Sequence, residues 1–133
     1  MSKAETSTQY PEDRCPTTRM LAMPTDTNAA GDIFGGWIMA QVDIAGSVVA
    51  FQRAQGRVVT VAVNSFIFHK PVFVGDVISC FAEITRVGNT SLTVSVEVFA
   101  ERNRQPDSRV KVTEATLTYV AVDEQRRPRP VPR

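Results

Sequence analysis

From Ile33 to Gln52 the chain reads IFGGWIMAQVDIAGSVVAFQ, an apolar run interrupted by one charge, Asp43. A run of this length without proline predicts a helix over roughly Gly36 to Gln55, covered by protein on most sides, with Gly56 as its stop. At about 1.5 Å per residue such a helix is roughly 30 Å long, enough to cross a small domain. Its three glycines, Gln41, Ser47 and above all Asp43 argue against a membrane span. The remaining chain has another rhythm. TTRMLA predicts a short strand before the helix, and RVVTVAVNSFIFHK, rich in Val, Phe and Thr, a long one after it. PVFVGD reads as a turn, VISCFAEITRV as a strand, and GNT as the short connection of a hairpin. In SLTVSVEVFAE, Leu92, Val94, Val96 and Val98 alternate with more polar neighbours. RVKVTEATLTYVAV alternates again, which predicts Val110, Val112, Thr116 and Val120 on one side of the pleat.

The order is therefore one short strand, one long helix, then about four long strands joined by turns. This predicts an α+β domain in which a curved antiparallel sheet of about five strands wraps one helix. The outer sheet face and one edge stay open, and they invite a second copy of the chain.

At 133 residues the chain has the length of one domain, with 43% apolar and 22% charged residues. A formal net charge of +1 supplies no field to attract nucleic acid or acidic membranes, and the basic residues gather only near the end. Cys15 and Cys80 match no metal-ligand spacing and are expected to be free thiols, with no metal in the site. MSKAETSTQYPEDRCP lacks the apolar core of a secretory signal, so a cytoplasmic protein is expected. Residues 1–16 are expected to form a flexible tail, 17–122 a single domain, and 123–133 an irregular tail rich in Arg and Pro.

A carboxylate in the middle of an apolar helix has two readings. It is satisfied by local backbone or by Ser47 one turn on, or it faces a cleft as a general base or nucleophile. The helix opens on GDIFGGW, so N–H groups near Gly35 and Gly36 lack intrahelical partners and suit a developing oxyanion. The same two glycines would also serve a tight turn. Asn28 precedes the helix, in a loop where Asn commonly forms turns or caps. Asp26 and Asp32 share that loop and suit turn roles. His69, the sole histidine, has no Ser or Cys evidently placed as its nucleophile and is expected to be structural or to sit at the rim of the site.

MPTDTNAAGDIFGGWIMAQVDIAG, RVVTVAV, HKPVFVGD and VGNTS resemble the YciA-type acyl-CoA thioesterases of the hotdog-fold superfamily. The resemblance runs from about Thr18 to Val131, and the Asn28–Asp43 block matches the family spacing without a gap. It implies a helical "sausage" in a curved "bun", so that 17–122 is one hotdog thioesterase domain. It also implies an acyl-CoA hydrolase with no cofactor, CoA being part of the substrate. Asp43 would be the catalytic acid. Asn28 would stand opposite the Asp43 of a partner subunit, which makes the homodimer obligatory, and the family suggests a trimer of dimers. Val59, Thr60, Gly88, Asn89, Thr90 and Ser91 would line the CoA groove. Arg57, Lys70, Arg86 and the tail arginines Arg126, Arg127 and Arg129 are candidates for the phosphates, and Trp37, Phe66, Phe68 and Phe81 for the acyl tunnel. The competing readings are a non-catalytic acyl-CoA-binding module on this fold, against which a desolvated carboxylate speaks, and a dehydratase, which would want its histidine in the helix-start loop.

Overall fold

The computed structural model describes residues 9–133. Its elements are β1 (Thr18–Leu21), α1 (Gly35–Ala54), β2 (Val58–Phe68), β3 (Val77–Val87), β4 (Ser91–Glu101) and β5 (Arg109–Ala121). The strands form one sheet in the order β1-β3-β4-β5-β2, and every neighbouring pair is antiparallel. A single helix against a five-stranded antiparallel sheet is the expected α+β arrangement.

Helix α1 runs 20 residues. Its buried residues Ile38, Gln41, Val42, Ala45, Gly46, Ala50 and Ala54 recur at helical spacing and form one stripe. That stripe is largely small, so the backbone lies close to the sheet. The helix stops one residue sooner than expected: Gln55 takes the left-handed conformation, its N–H donating to the Phe51 carbonyl, and Gly56 follows at φ +155°. The helix is not covered on most sides by its own chain. Met39, Ile44 and Phe51 are exposed on the face away from the sheet.

The core holds Ile38, Val42 and Ala45 of α1 with Ile78 and Cys80 of β3, Leu92, Val94, Val96 and Val98 of β4, and Leu117 and Tyr119 of β5. The alternation read in β4 is borne out. In β5 it is not continuous, because the β4 register slips between Val98 and Phe99: Val98 pairs with Thr113 and Phe99 with Lys111. The extra residue, Val112, is a bulge that reverses the inward parity. Val110 pairs with Ala100 before it, while Ala115, Leu117, Tyr119 and Ala121 turn inward after it. Thr116 and Val120 therefore do not share a face with Val110.

β2 and β3 do not form a hairpin, although only PVFVGD and its flanks separate them. β2 is an edge strand paired with β5, and the connection carries the chain across to β3, where Ile33 N–H donates to the Val72 carbonyl. Asp76 fastens this crossover: it is buried, accepts from Phe73 N–H at 2.9 Å and pairs with Arg102, whose guanidinium also reaches the Pro71 carbonyl.

Residues 9–16 and 123–133 are more engaged than their composition suggests. Of the segment expected to be mobile, residues 1–8 lie outside the described residues. Beyond them, Tyr10 packs edge-on against Phe81 and Phe99 on the convex face, with Arg109 stacked over its ring. Residues 123–133 are irregular yet anchored. Val131 is buried and its N–H donates to the Asn89 carbonyl. Arg129 reaches the Ala54 and Val122 carbonyls, each at 3.0 Å, and Arg53 reaches the Pro132 carbonyl. Among the described residues no helix is long and apolar enough to cross a membrane.

Candidate active site

Asp43 sits at mid-helix on the border between the buried stripe of α1 and its open face, half-buried beside the exposed Ile44. Ser47 is not its partner, since the Ser47 hydroxyl donates to the Ile44 carbonyl at 2.7 Å. The partners come from the sheet. Thr60 of β2 donates its hydroxyl to Asp43 Oδ1 at 2.8 Å. The Tyr119 hydroxyl of β5 lies 2.9 Å from both Oδ1 and the Asp43 backbone carbonyl. Thr60 and Tyr119 are register neighbours, so pairing of β2 with β5 brings both hydroxyls to one oxygen. Oδ1 is held by two neutral donors, while Oδ2 accepts no hydrogen bond and the carboxylate no ion pair among the described residues.

Tyr119 is the residue that sequence reasoning missed. Burial first, then the hydrogen bond to Asp43, raises its phenol pKa, so it stays a donor across the ordinary pH range. The signal was available: a tyrosine flanked by Leu and Ala at inward positions of a strand needs a partner for its hydroxyl. Gly46 makes room for it. A Cβ at position 46 would run into the Tyr119 hydroxyl and stand 3.1 Å from two ring carbons.

Asn28 belongs to another part of the surface. Its side-chain oxygen accepts the N–H of Ala30 at 2.9 Å and of Asp32 at 3.2 Å, which closes the loop before the helix. That leaves the amide NH2 as the side chain's remaining donor. Asn28 lines a cleft of about 400 Å³ with Gly35, Ile38, Phe68, His69 and Lys70, and Asp43 is not part of it. Trp37 and Ile38 N–H both donate to the Phe34 carbonyl, so Gly35 and Gly36 carry the N–H groups at the very start of the helix. Both glycines are exposed; a Cβ at Gly35 would touch the Phe68 ring at 3.4 Å, and one at Gly36 would meet nothing within 4 Å. His69 contacts Glu114 Oε1 at 2.8 Å, a carboxylate that Lys111 also reaches at 3.3 Å.

The groove candidates gather at the other end of the sheet. Val59 and Ser91 both pair with Val120, and Thr60 and Leu92 both pair with Tyr119. The 88–91 turn closes with Gly88 N–H on the Ser91 carbonyl. Thr90 accepts from Ala121 N–H, and Asn89 from Val131 N–H. Arg57 stands nearby, its carbonyl accepting Val122 N–H, on the wall of a mainly apolar cleft with Ser47, Val48, Phe51 and Val58. Lys70 is not with them but beside Asn28. Arg129 is committed to carbonyls of its own chain, and Phe81 lies on the convex face with Tyr10, away from the helix. Among the described residues no group of three or more His, Cys, Asp or Glu is placed to hold a metal.

Residues 30–106 match the family model described as the thioesterase superfamily. The chain is 50% identical over 116 residues to the acyl-CoA thioester hydrolase YciA of Salmonella typhimurium, covering 86% of this chain and 87% of that one. Among solved structures, the hexameric thioesterase y2039 from Yersinia pestis superposes with a TM-score of 0.86 at 48% identity, over 93% of this chain and 99% of that one. Cj0915, a hexameric hotdog fold thioesterase of Campylobacter jejuni, also gives 0.86, at 43% identity over 92% and 93%.

Proposed function

The chain belongs to the thioesterase superfamily, and from that premise we propose that it hydrolyses acyl-CoA thioesters to free CoA and a carboxylic acid, with Asp43 as the reacting carboxylate. The observation that carries this reading is the state of Asp43. Two neutral hydroxyls fix one oxygen, no cation among the described residues neutralises the group, and the second oxygen is left for chemistry. A carboxylate held only for structure would be expected to use both.

Two routes use that oxygen equally. As a general base, Oδ2 takes a proton from water while the water oxygen adds to the thioester carbonyl carbon; the C–S bond then breaks, and the proton leaves with the CoA sulfur. As a nucleophile, Oδ2 adds to the carbonyl itself and expels CoA thiolate, and water hydrolyses the resulting anhydride. Either route develops negative charge on the carbonyl oxygen. The N–H groups at Gly35 and Gly36, at the positive end of the helix dipole, suit that charge. The Asn28 amide NH2, its oxygen already engaged, suits the carbonyl or the water.

Asp43 takes no part in the cleft that Asn28 of the same chain lines, which favours a site built from two chains, Asp43 of one facing Asn28 of the partner subunit. The surface for such a pairing is present. Ile44 and Phe51 of α1 and Val61, Val63 and Phe68 of edge strand β2 are all exposed large apolar residues. A partner seated there would also enclose the half-buried Asp43. A D3 hexamer, a trimer of such dimers, accords with the hexameric relatives. CoA would run over Val59, Thr60 and the Gly88, Asn89, Thr90 and Ser91 turn, with Arg57 from this side and Lys70 from the Asn28 side meeting its phosphates. The site needs no cofactor beyond the CoA of its substrate, and the free thiols Cys15 and Cys80 fit a cytoplasmic setting.

The test is release of free thiol from acyl-CoAs of graded chain length by the purified protein and by Asp43→Asn. The amide keeps the oxygen that Thr60 and Tyr119 hold and removes the anion. Turnover should fall by roughly 10³-fold or more while CoA binding persists. Undiminished hydrolysis in the variant would place the chemistry elsewhere, and tight CoA binding without hydrolysis by the unaltered protein would leave only a binding module.

A further inference from the structure

We propose that Tyr119 is a positioning residue for this reaction, its hydroxyl holding Asp43 in the rotamer that presents Oδ2 to the thioester, with Gly46 supplying the slot that admits the ring. The inference rests on the hydrolase reading above and adds to it a residue outside the helix-start loop and the CoA groove. Thr60 alone does not define the carboxylate. Its hydroxyl comes from an exposed position on edge strand β2, where the register slips between Thr60 and Ala62. Tyr119 comes from β5, hydrogen-bonded on both sides within the sheet, and the residue is fully buried. Its hydroxyl also lies 2.9 Å from the Asp43 backbone carbonyl, so one rigid phenol spans side chain and main chain of the same residue. Two fixed points on Asp43 restrict both its χ1 and its place along the sheet. A reacting group misplaced by about 1 Å loses on the order of 10²-fold in rate, which makes such a restraint worth conserving space for.

Gly46 is the second part of the device. Three residues after Asp43, it faces the sheet on the same side of the helix, and any larger residue would push the phenol off Asp43. The two residues therefore act as one unit. Tyr119→Phe removes the hydroxyl, and Gly46→Ala keeps it but displaces it.

Thiol release and CoA binding are measured on the unaltered protein, Tyr119→Phe, Gly46→Ala and the double variant, each checked for assembly by gel filtration. Tyr119→Phe is expected to lower kcat about tenfold, equivalent to about 1.4 kcal/mol, with KM within twofold. Gly46→Ala is expected to do the same, and the double variant to be no worse than the poorer single one. A purely structural role would instead lower the fraction of folded enzyme without changing kcat per active site. An unaltered protein without turnover would defeat the hydrolase reading itself. Normal turnover with Tyr119→Phe at wild-type kcat would overturn the inference and leave that reading intact. If phenylalanine at 119 prevents folding, 3-fluorotyrosine at that position keeps the packing and strengthens the donor: a twofold or larger change in kcat at constant KM supports the role, and unchanged kcat overturns it.

Discussion

Arg129→Ala should cost the fold about 2–3 kcal/mol, although Arg129 belongs to a tail that composition marks as expendable. Its Nη2 donates to the Ala54 carbonyl, at the last residue of α1, and its Nε to the Val122 carbonyl, each at 3.0 Å. The helix C-terminus is the negative end of the dipole and carries carbonyls without intrahelical donors, so a guanidinium there satisfies an orphan acceptor and opposes the dipole. Hydrogen bonds to charged groups contribute about 1.5–3 kcal/mol each when removed. Arg129 is only half-buried, which lowers this to about 1–1.5 kcal/mol each. For a chain of this size roughly 3–5 °C of melting temperature accompany each kcal/mol, so the variant should melt about 10 °C lower. Lysine at 129 should recover less than half, because a point charge does not fork between two carbonyls. The assay is thermal unfolding at equal protein concentration, since the proposed assembly would make the melting temperature concentration-dependent. A melting temperature within 2 °C of the unaltered protein, together with weakened CoA binding, would refute the latch and return Arg129 to the phosphate candidates.

Other consequences are equally direct. Val63→Lys on edge strand β2 should lower the solution mass and abolish thiol release together, because it charges the apolar surface proposed to complete the site; an active assembly of unchanged mass would refute that surface. Lys111→Ala should destabilise by about 3 kcal/mol by denaturant titration, since the buried ammonium contacts Glu97 at 3.0 Å and Glu114 at 3.3 Å and its loss removes the buried cation that these two carboxylates share. A thiol reagent at pH 8 should label one cysteine per folded chain, the exposed Cys15; Cys80 is buried and its thiol is pushed up to about 11 by desolvation. Because the native state holds that proton more tightly than the unfolded chain, where a thiol titrates near 9.0, Cys80 contributes stability below pH 9 that is lost as pH rises through 11. Alkaline unfolding of Cys80→Ala should lack that component.

Much of this molecule was legible along the chain because its information is local. The apolar run at α1, the alternation in β4 and the Gly88–Ser91 turn each encode their conformation within a few residues, and one charge in the apolar run singled out Asp43. Other features depend on which strand pairs with which. β2 pairs with β5 and not with β3, and only that pairing brings Thr60 and Tyr119 to one carboxylate oxygen. The bulge at Val112 reversed the parity of β5, so reading alternation straight through assigned Thr116 and Val120 to the face of Val110. Nor did composition disclose that Tyr10 would find an aromatic pair on the convex face, or that Arg129 would find the end of a helix. Propensity and periodicity act between neighbours in sequence, whereas the partner of a buried hydroxyl or an orphan carbonyl is chosen by distance in space, which exists only once the chain has folded.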